Sequence, residues 1–84
     1  MRFLYFYLMG SDHERIAEVA PHHAAYWRDL RLPEYLGGTF ADRSGGLITF
    51  ESDSPEQAQR LTDADPFVRE GLLRRSWTDE WLVG

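Results

Sequence analysis

Apolar side chains fill both alternating sets of positions over residues 2–9. One set is Phe3, Tyr5, Tyr7 and Met9, and the other is Leu4, Phe6 and Leu8. The length and the aromatic content of this segment favour a β-strand. A strand that is apolar on both faces must be covered on both faces. Because one layer of helices covers only one face, the pattern predicts a second copy of the same sheet on the other, and therefore a homodimer.

The following apolar positions recur every three or four residues, which is typical of an amphipathic helix. They are Ile16, Val19, Ala20, His23, Tyr26, Trp27 and Leu30. Residues 10–12 (Gly-Ser-Asp) end the strand and offer helix caps. Pro21 interrupts the pattern, so the segment is either two short helices or one kinked helix, and we favour one kinked helix. Pro33 ends it.

A β-hairpin is predicted from two apolar segments, residues 35–41 and 46–51, which a turn at residues 42–45 separates. Gly37 and Gly38 in the first segment would let another group approach the backbone closely, or they form only a bulge. Ser54, Pro55 and Gln57 then predict a helix start, since they supply an N-cap, a first-turn proline and a capping box.

That second helix must end at Asp65, because a residue before proline is disfavoured in the α region. A carboxylate at a helix C-terminus opposes the helix dipole. Its presence there indicates a role other than helix formation. Residues 72–83, around Trp77 and Trp81, read as a fourth strand, although Asp79 and Glu80 fit a buried strand poorly. The order β-α-β-β-α-β predicts one α+β domain over residues 1–84, with a ferredoxin-like antiparallel four-stranded sheet.

Composition narrows the possible partners. A chain of 84 residues has a thin core, yet 43% of it is hydrophobic, which again indicates burial against a second copy. The net charge of -5 argues against a nucleic-acid partner. With no cysteine there is neither a disulfide framework nor a thiolate metal site. The first apolar segment is too short to span a membrane and no cleavage site follows it, so a cytoplasmic protein is expected.

His23 and Asp65 are the candidate chemical groups. A carboxylate that accepts one imidazole N–H fixes the tautomer and raises the basicity of the ring, and the other ring nitrogen is then free to take a substrate proton. From the residues alone, a core histidine bonded to a backbone carbonyl is the preferred interpretation of His23, and Asp65 could merely cap the turn before Phe67. His13, His22 and His23 do not predict a metal site, because adjacent histidines on a helix diverge.

Several motifs together resemble the YCII-related family over nearly the whole chain. They are His23-Ala-Ala-Tyr26, Gly37-Gly38, Ser-Pro-Glu-Gln at 54–57, Asp65-Pro-Phe67 and a C-terminal Trp. The resemblance implies a dimeric α+β barrel with a His-Asp pair as its active site. One type of member is known as a dehydrochlorinase of a chlorinated hydroxyquinol. Many members carry an arginine three residues before the histidine, where this chain has Ala20, so its substrate is expected to differ.

The preferred functional hypothesis is a cofactor-independent lyase or isomerase. His23 would remove a proton from a hydroxyaromatic or enolisable compound, and Asp65 would orient His23. Backbone N–H groups of Gly37 and Gly38 could stabilise an oxyanion. Tyr26 and Phe67 complete the predicted substrate contacts, although Tyr26 could instead pack in the core or an interface.

Two other functional classes compete with the enzyme. A small-ligand-binding or interaction module on the same dimeric barrel is the alternative. In either class the homodimer could assemble into a higher oligomer. An RNA-binding domain of the same strand order is disfavoured by the charge. It is also disfavoured because residues 46–50 (Gly-Leu-Ile-Thr-Phe) lack the basic Gly-Phe signature of such domains.

Overall fold

The fold is a four-stranded antiparallel sheet with helices on one face. The computed structural model describes residues 1–84. In chain order the elements are β1 (Arg2–Met9), α1 (His13–Asp29), β2 (Leu36–Thr39), β3 (Gly45–Glu51), α2 (Pro55–Asp63), α3 (Pro66–Arg69) and β4 (Leu73–Glu80). The strand order is β2-β3-β1-β4, and every neighbouring pair is antiparallel. The predicted ferredoxin-like α+β fold is confirmed, with the short helix α3 as an addition.

Helix α1 is a single helix that continues through Pro21. It begins at Asp12, whose carboxylate accepts a hydrogen bond from the backbone N–H of Arg15 (3.2 Å). Pro21 has no N–H to donate to the carbonyl of Ala17, so the helix continues with one backbone hydrogen bond fewer. Of the two interpretations of this segment, the single helix is the one observed.

The two faces of β1 have different surroundings. The face that carries Phe3, Tyr5 and Tyr7 is buried under the helices, with at most 2% of each residue exposed. Trp27 of α1 and Phe67 of α3 pack onto this face as part of the same core. The core therefore lies on one side of the sheet, between the strands and the three helices.

The opposite face of the sheet is partly exposed. It carries Leu4, Phe6 and Leu8 of β1. Phe6 packs against Phe40 and Trp77, with ring centroids 5.5 and 5.0 Å apart. We call this surface, formed by Leu4, Phe6, Leu8, Leu47 and Trp77, the open face. No helix of the chain covers it.

The predicted start of α2 is confirmed, but the capping glutamine has other partners. The hydroxyl of Ser54 accepts from the N–H of Gln57 (3.1 Å), as an N-cap does. The side-chain oxygen of Gln57 reaches back to the N–H of Asp53 (3.0 Å) and to the hydroxyl of Ser52. The glutamine thus anchors the loop before the N-cap rather than the N-cap itself.

Asp65 occupies a junction between two helices. Helix α2 ends at Asp63, and Asp65 has an extended backbone (φ -57°, ψ 129°) and serves as the N-cap of α3. Its carboxylate accepts from the N–H of Phe67 (2.8 Å). The sequence argument that the carboxylate opposes a helix dipole was incomplete, because the same side chain stabilises the N-terminus of the next helix.

The close approach expected at Gly37 and Gly38 occurs at Gly37, where a Cβ would lie 2.8 Å from the Tyr35 hydroxyl, and on the neighbouring strand at Gly46. A Cβ on Gly46 would collide with the hydroxyl of Tyr7 and the carbonyl of Gly38, whereas a Cβ on Gly38 would meet nothing within 4 Å. Gly46 therefore provides the space that the Tyr7 side chain occupies.

The structure contains no helix with the length and apolarity needed to cross a bilayer.

Candidate active site

Asp65 is completely buried and is surrounded by hydrogen-bond donors. Its Oδ2 accepts from the Tyr5 hydroxyl (3.0 Å) and from the indole N–H of Trp27 (3.0 Å). Its Oδ1 accepts from the backbone N–H of Phe67 (2.8 Å). Nδ1 of His23 lies 2.9 Å from both oxygens. The two distant residues predicted to meet therefore do meet, within hydrogen-bond distance.

An ionised carboxylate matches this environment because it only accepts hydrogen bonds. The indole of Trp27 and the backbone N–H of Phe67 can only donate, and the Tyr5 hydroxyl donates here. His23 must then carry its proton on Nδ1 to donate to the same group. No buried side-chain nitrogen or oxygen of the protein lacks a hydrogen-bond partner. The carboxylate thus ties β1, α1 and α3 together and fixes the imidazole tautomer.

The partners converge because of the local periodicities. His23 and Trp27 are four residues apart on α1 and so share one face of the helix. Tyr5 belongs to the buried alternate set of β1. Asp65 enters from the turn before α3, which Pro66 begins. These elements pack against one another through apolar side chains, and the packing brings the polar ends of the other side chains together at Asp65.

The second nitrogen of His23 also has a partner. Nε2 lies 3.3 Å from the hydroxyl of Tyr7, and because Nδ1 carries the proton, Tyr7 is the donor. The imidazole stacks on Phe67, with centroids 4.3 Å apart and planes at 21°. Only 12% of the His23 side chain is exposed. The nitrogen that sequence analysis described as free is occupied by a tyrosine that it did not identify.

A signal for Tyr7 was present in the sequence. Tyr5 and Tyr7 stand in the same alternate set of a strand whose other residues are apolar. A buried tyrosine needs a partner for its hydroxyl. Two such hydroxyls on one buried face indicate a polar group between the sheet and the helices, although the pattern does not say which one.

Burial keeps both tyrosine hydroxyls protonated. It raises the pKa of Tyr7 to about 12, and the nearby negative charge of Asp65 adds to the shift. Burial, with Asp65, raises the pKa of Tyr5 still further. Both groups are thus neutral hydrogen-bond donors over the physiological range, as the network requires.

Two hollows meet at Tyr7 and His23. The larger, of about 460 Å³, lies against Tyr7, His23 and Phe67. Its remaining walls are mostly small or apolar, with Met9, Gly10, His13, Ile16, Ala17, Ala20, Ala24, Thr39 and Arg43. The smaller, of about 190 Å³, is bordered by Tyr7, His23, Gly37 and Gly38 among others. The hydrogen-bonded series Asp65, His23 and Tyr7 therefore ends at surfaces that a small molecule can reach.

The other predicted site residues are distributed unevenly. Phe67 and the glycine pair border the two hollows. Tyr26 borders neither, and its hydroxyl donates to the carbonyl of Leu61 (2.6 Å), which links α1 to α2. His22 is exposed beside the buried side of the helix. No three His, Asp or Glu side chains cluster in a way that could hold a metal ion.

Comparisons with known proteins agree with this architecture. A family model described as the YCII-related domain matches residues 1–81. A search of curated proteins gave no match. Among solved structures, the 5-chloro-2-hydroxyhydroquinone dehydrochlorinase of Burkholderia phenoliruptrix AC1100, in complex with 2,5-dihydroxybenzoquinone, superposes with a TM-score of 0.86. The two are 21% identical, and the match covers 100% of this chain and 96% of the other. At that identity, the likeness establishes the fold.

The donor set around Asp65 predicts a large loss of stability in Asp65→Asn. The amide keeps one acceptor, but its NH₂ faces donors and leaves at least one of them unsatisfied. We expect the free energy of unfolding to fall by about 2–4 kcal/mol, measured by urea denaturation at neutral pH. The exposed Asp53→Asn is the control and should change stability by less than about 0.5 kcal/mol. A loss below about 1 kcal/mol in Asp65→Asn would contradict the proposed network.

The raised pKa values of Tyr5 and Tyr7 predict that the free energy of unfolding falls at alkaline pH. The folded pKa of Tyr7 (about 12) lies above the ordinary value of 10.0. The stabilisation is therefore complete below about pH 10, and it is lost as the pH rises towards 12, at about 1.4 kcal/mol per pH unit for each such group. Tyr5 adds a second contribution of the same sign.

Unfolding measured between about pH 9 and 11.5 tests this expectation. The chain has no lysine or cysteine, so few other side chains titrate in this window. Tyr7→Phe should reduce the slope of the free energy of unfolding against pH by about 1.4 kcal/mol per pH unit, which corresponds to one proton. Tyr35→Phe, at a less buried tyrosine whose pKa is also raised, should have a smaller effect. A free energy of unfolding that does not change with pH would refute the assignment.

Proposed function

The chain belongs to the YCII-related family, and from that premise we propose that it is a cofactor-independent cytoplasmic enzyme of lyase or isomerase type. The proposed reaction begins with removal of a proton from a hydroxyaromatic or enolisable compound. The observation that supports it most directly is the hydrogen-bonded line Asp65–His23–Tyr7 at the wall of the larger hollow.

In the proposed mechanism, Asp65 and His23 form the basic pair and Tyr7 connects it to the substrate. A substrate hydroxyl that donates to the Tyr7 oxygen would complete a chain of donors ending at Nε2 of His23. As the substrate proton moves to Tyr7, the original proton of Tyr7 moves to His23. The imidazolium that forms is paired with the carboxylate of Asp65, which stabilises the transferred charge.

The resulting substrate anion then determines the outcome of the reaction. Reprotonation of the anion at a carbon instead of the oxygen gives an isomer, whereas departure of a leaving group with its electron pair gives an elimination. Either path returns the proton of His23 to product or solvent, so the protein needs no external oxidant or reductant. Edge strand β2 supports the anion in this proposal, because alternate N–H groups of an edge strand have no strand partner. Gly37 and Gly38 border the smaller hollow there.

The size and character of the larger hollow favour a single-ring substrate. Its volume of about 460 Å³ falls in the range of small-molecule pockets. The ring of Phe67 is part of its wall, next to His23. The structural neighbour is named for a chlorinated hydroxyhydroquinone, and its structure contains a dihydroxybenzoquinone. We extend this substrate class, hydroxylated rings, to the present protein.

One observation favours the alternative of a non-catalytic ligand-binding module. Both nitrogens of His23 already have hydrogen-bond partners inside the protein. A histidine of this kind can be purely structural, so turnover and binding must be measured separately. The alternative predicts ligand binding in the hollow without any proton transfer.

Proton exchange tests the enzyme hypothesis without knowledge of the natural substrate. The purified protein is incubated in D₂O with hydroxyhydroquinone and resorcinol. Exchange of ring hydrogens is followed by NMR, and chloride release from 5-chloro-2-hydroxyhydroquinone is measured in parallel. The wild-type protein should accelerate at least one of these reactions. His23→Asn, which keeps an N–H for Asp65 but provides no base, should reduce the acceleration by about 100-fold or more.

The neighbouring residue supplies the control. His22→Asn makes the same chemical change on the exposed side of the helix and should leave the rate unchanged. Equal rates in wild type and His23→Asn would exclude His23 as the base. Ligand binding by the wild type without exchange or chloride release would favour the binding module.

We also propose that the open face is the surface of a homodimer. Phe6 and Trp77 form an aromatic cluster there, and Leu4, Leu8 and Leu47 extend it. Pairing two such faces would give β1 apolar contacts on both sides and would produce the dimeric α+β barrel that the resemblance implies. The guanidinium of Arg75 lies 4.5 Å from the Trp77 ring at the border of this surface.

Sedimentation analysis tests the dimer. The wild-type protein should sediment as twice the chain mass of 9.8 kDa. Trp77→Glu places a charge on the open face and should shift the population to monomer, because burying an unpaired charge is costly. Ser76→Glu, one residue away on the other side of the strand, should leave the dimer intact. A wild-type protein that is monomeric at high concentration would contradict the proposed interface.

A further inference from the structure

The wall of the larger hollow contains no acidic side chain, although the protein as a whole is acidic. The chain carries 14 acidic residues and a net charge of -5. None of the residues that line this hollow is Asp or Glu, whereas Arg43, His13 and His23 all contribute to its wall. The adjacent cleft, which shares Met9, Gly10 and His13, does include acids, Asp12 and Glu70. The nearest carboxylate described for the larger hollow is that of Asp65, which is buried behind His23 and does not form part of the wall.

Arg43 is the one permanently charged residue in that wall, and its side chain has no partner within the chain. The guanidinium groups of Arg15 and Arg28 pair with carboxylates, but Arg43 makes neither an ion pair nor a side-chain hydrogen bond. It lies in the turn between β2 and β3. The unpaired cation is thus available to a ligand in the hollow.

The backbone at Arg43 is held in an unfavourable conformation. Its φ is 63°, in the left-handed region, which costs a residue with a Cβ roughly 1 kcal/mol relative to glycine. The turn is fixed on both sides of it. The carboxylate of Asp42 accepts from the N–H of Ser44 (2.9 Å), and the N–H of Arg43 donates to the carbonyl of Phe40 (2.9 Å). Arg31 and Glu34 also have positive φ, so this backbone conformation shows that the turn is fixed and does not by itself assign a role to the side chain.

We propose that Arg43 binds an anionic group of the ligand, most simply a carboxylate on the hydroxylated ring, with His13 assisting from the first turn of α1. This inference names the substrate class of the proposed function and rests on it. The hydroxyl of such a substrate faces Tyr7 and His23, and its carboxylate faces Arg43. Different residues of the same wall would thereby bind two groups of one molecule.

Elementary electrostatics supports this division of roles. A guanidinium presents paired N–H groups that match the two oxygens of a carboxylate. The apolar residues of the wall, here Ile16, Ala17 and Ala20, reduce the polar surroundings of a bound ligand and so make its interaction with a charge stronger than in open water. A small positive region inside an acidic protein also concentrates anions at the site and repels them elsewhere on the surface.

Two ligands of nearly the same shape test the inference. 4-Hydroxybenzoate is an anion at neutral pH, and 4-hydroxybenzamide is its neutral analogue. Binding of each to the wild-type protein is measured by calorimetric titration at low and high salt. We expect the acid to bind about five- to tenfold more tightly than the amide, and high salt should weaken only the acid.

Arg43→Asn removes the charge and suits the left-handed backbone, so the variant should fold. It should bind both compounds with equal affinity, and Arg43→Lys should retain part of the preference for the acid. Arg31→Asn is a matched control, because Arg31 also has a positive φ (51°) and is exposed but does not line the hollow. This variant should keep the wild-type preference. If Arg43→Asn does not fold, Arg43→Gly at the same backbone conformation replaces it.

The possible outcomes separate this inference from the proposed function. Loss of the preference for the acid in Arg43→Asn but not in Arg31→Asn supports the anion site. This conclusion holds even if the experiment with His23→Asn shows that no proton transfer occurs. The inference is overturned by equal wild-type affinities for acid and amide, by the same loss in Arg31→Asn, or by no binding of the acid up to about 10 mM. Proton exchange by the wild type would then still support the enzyme without an Arg43 contact.

Discussion

The site depends on one buried carboxylate that accepts hydrogen bonds from four surrounding groups. Asp65 has no exposed surface, and its partners come from the central strand, the long helix and the turn into α3. A buried charge is tolerated only when its hydrogen-bonding capacity is filled. The donors depend on the carboxylate in turn, since Tyr5 and Trp27 would be left as unsatisfied donors without Asp65. The junction therefore positions the imidazole and joins the elements of the core.

This arrangement explains why His23 is held so rigidly. One ring nitrogen is fixed by Asp65, the other faces Tyr7, and the ring stacks on Phe67. A group constrained on every side has little freedom to reorient, which is an advantage for a catalytic base and equally characteristic of a structural histidine. The hollows beside it are what favour the catalytic interpretation. Both Tyr7 and the imidazole of His23 border these hollows.

The small size of the chain gives each face of the sheet a different function. The helix-covered face contains the core and the site, and the open face carries apolar residues that the chain does not cover. Gly46 shows how closely the first face is packed, because even one added carbon would displace the Tyr7 hydroxyl. The same compactness places a turn residue, Arg43, beside a hollow whose opposite wall is a helix. A short chain thus forms a site from segments that are far apart in sequence.

The sequence by itself determined the elements and their order, because periodicity, caps and prolines act over a few residues. The strand at residues 2–9, the N-cap at Ser54 and the helix end before Pro66 follow from local rules. The meeting of His23 with Asp65 was predicted from a family resemblance, since no local rule joins residues so distant. Only the tertiary structure decided which polar groups share Asp65 and which residue occupies the second nitrogen of His23. It also decided that the Tyr26 hydroxyl donates to the carbonyl of Leu61 and that Tyr26 borders neither hollow at His23. Those outcomes depend on how the helices pack across the sheet, which no short segment encodes.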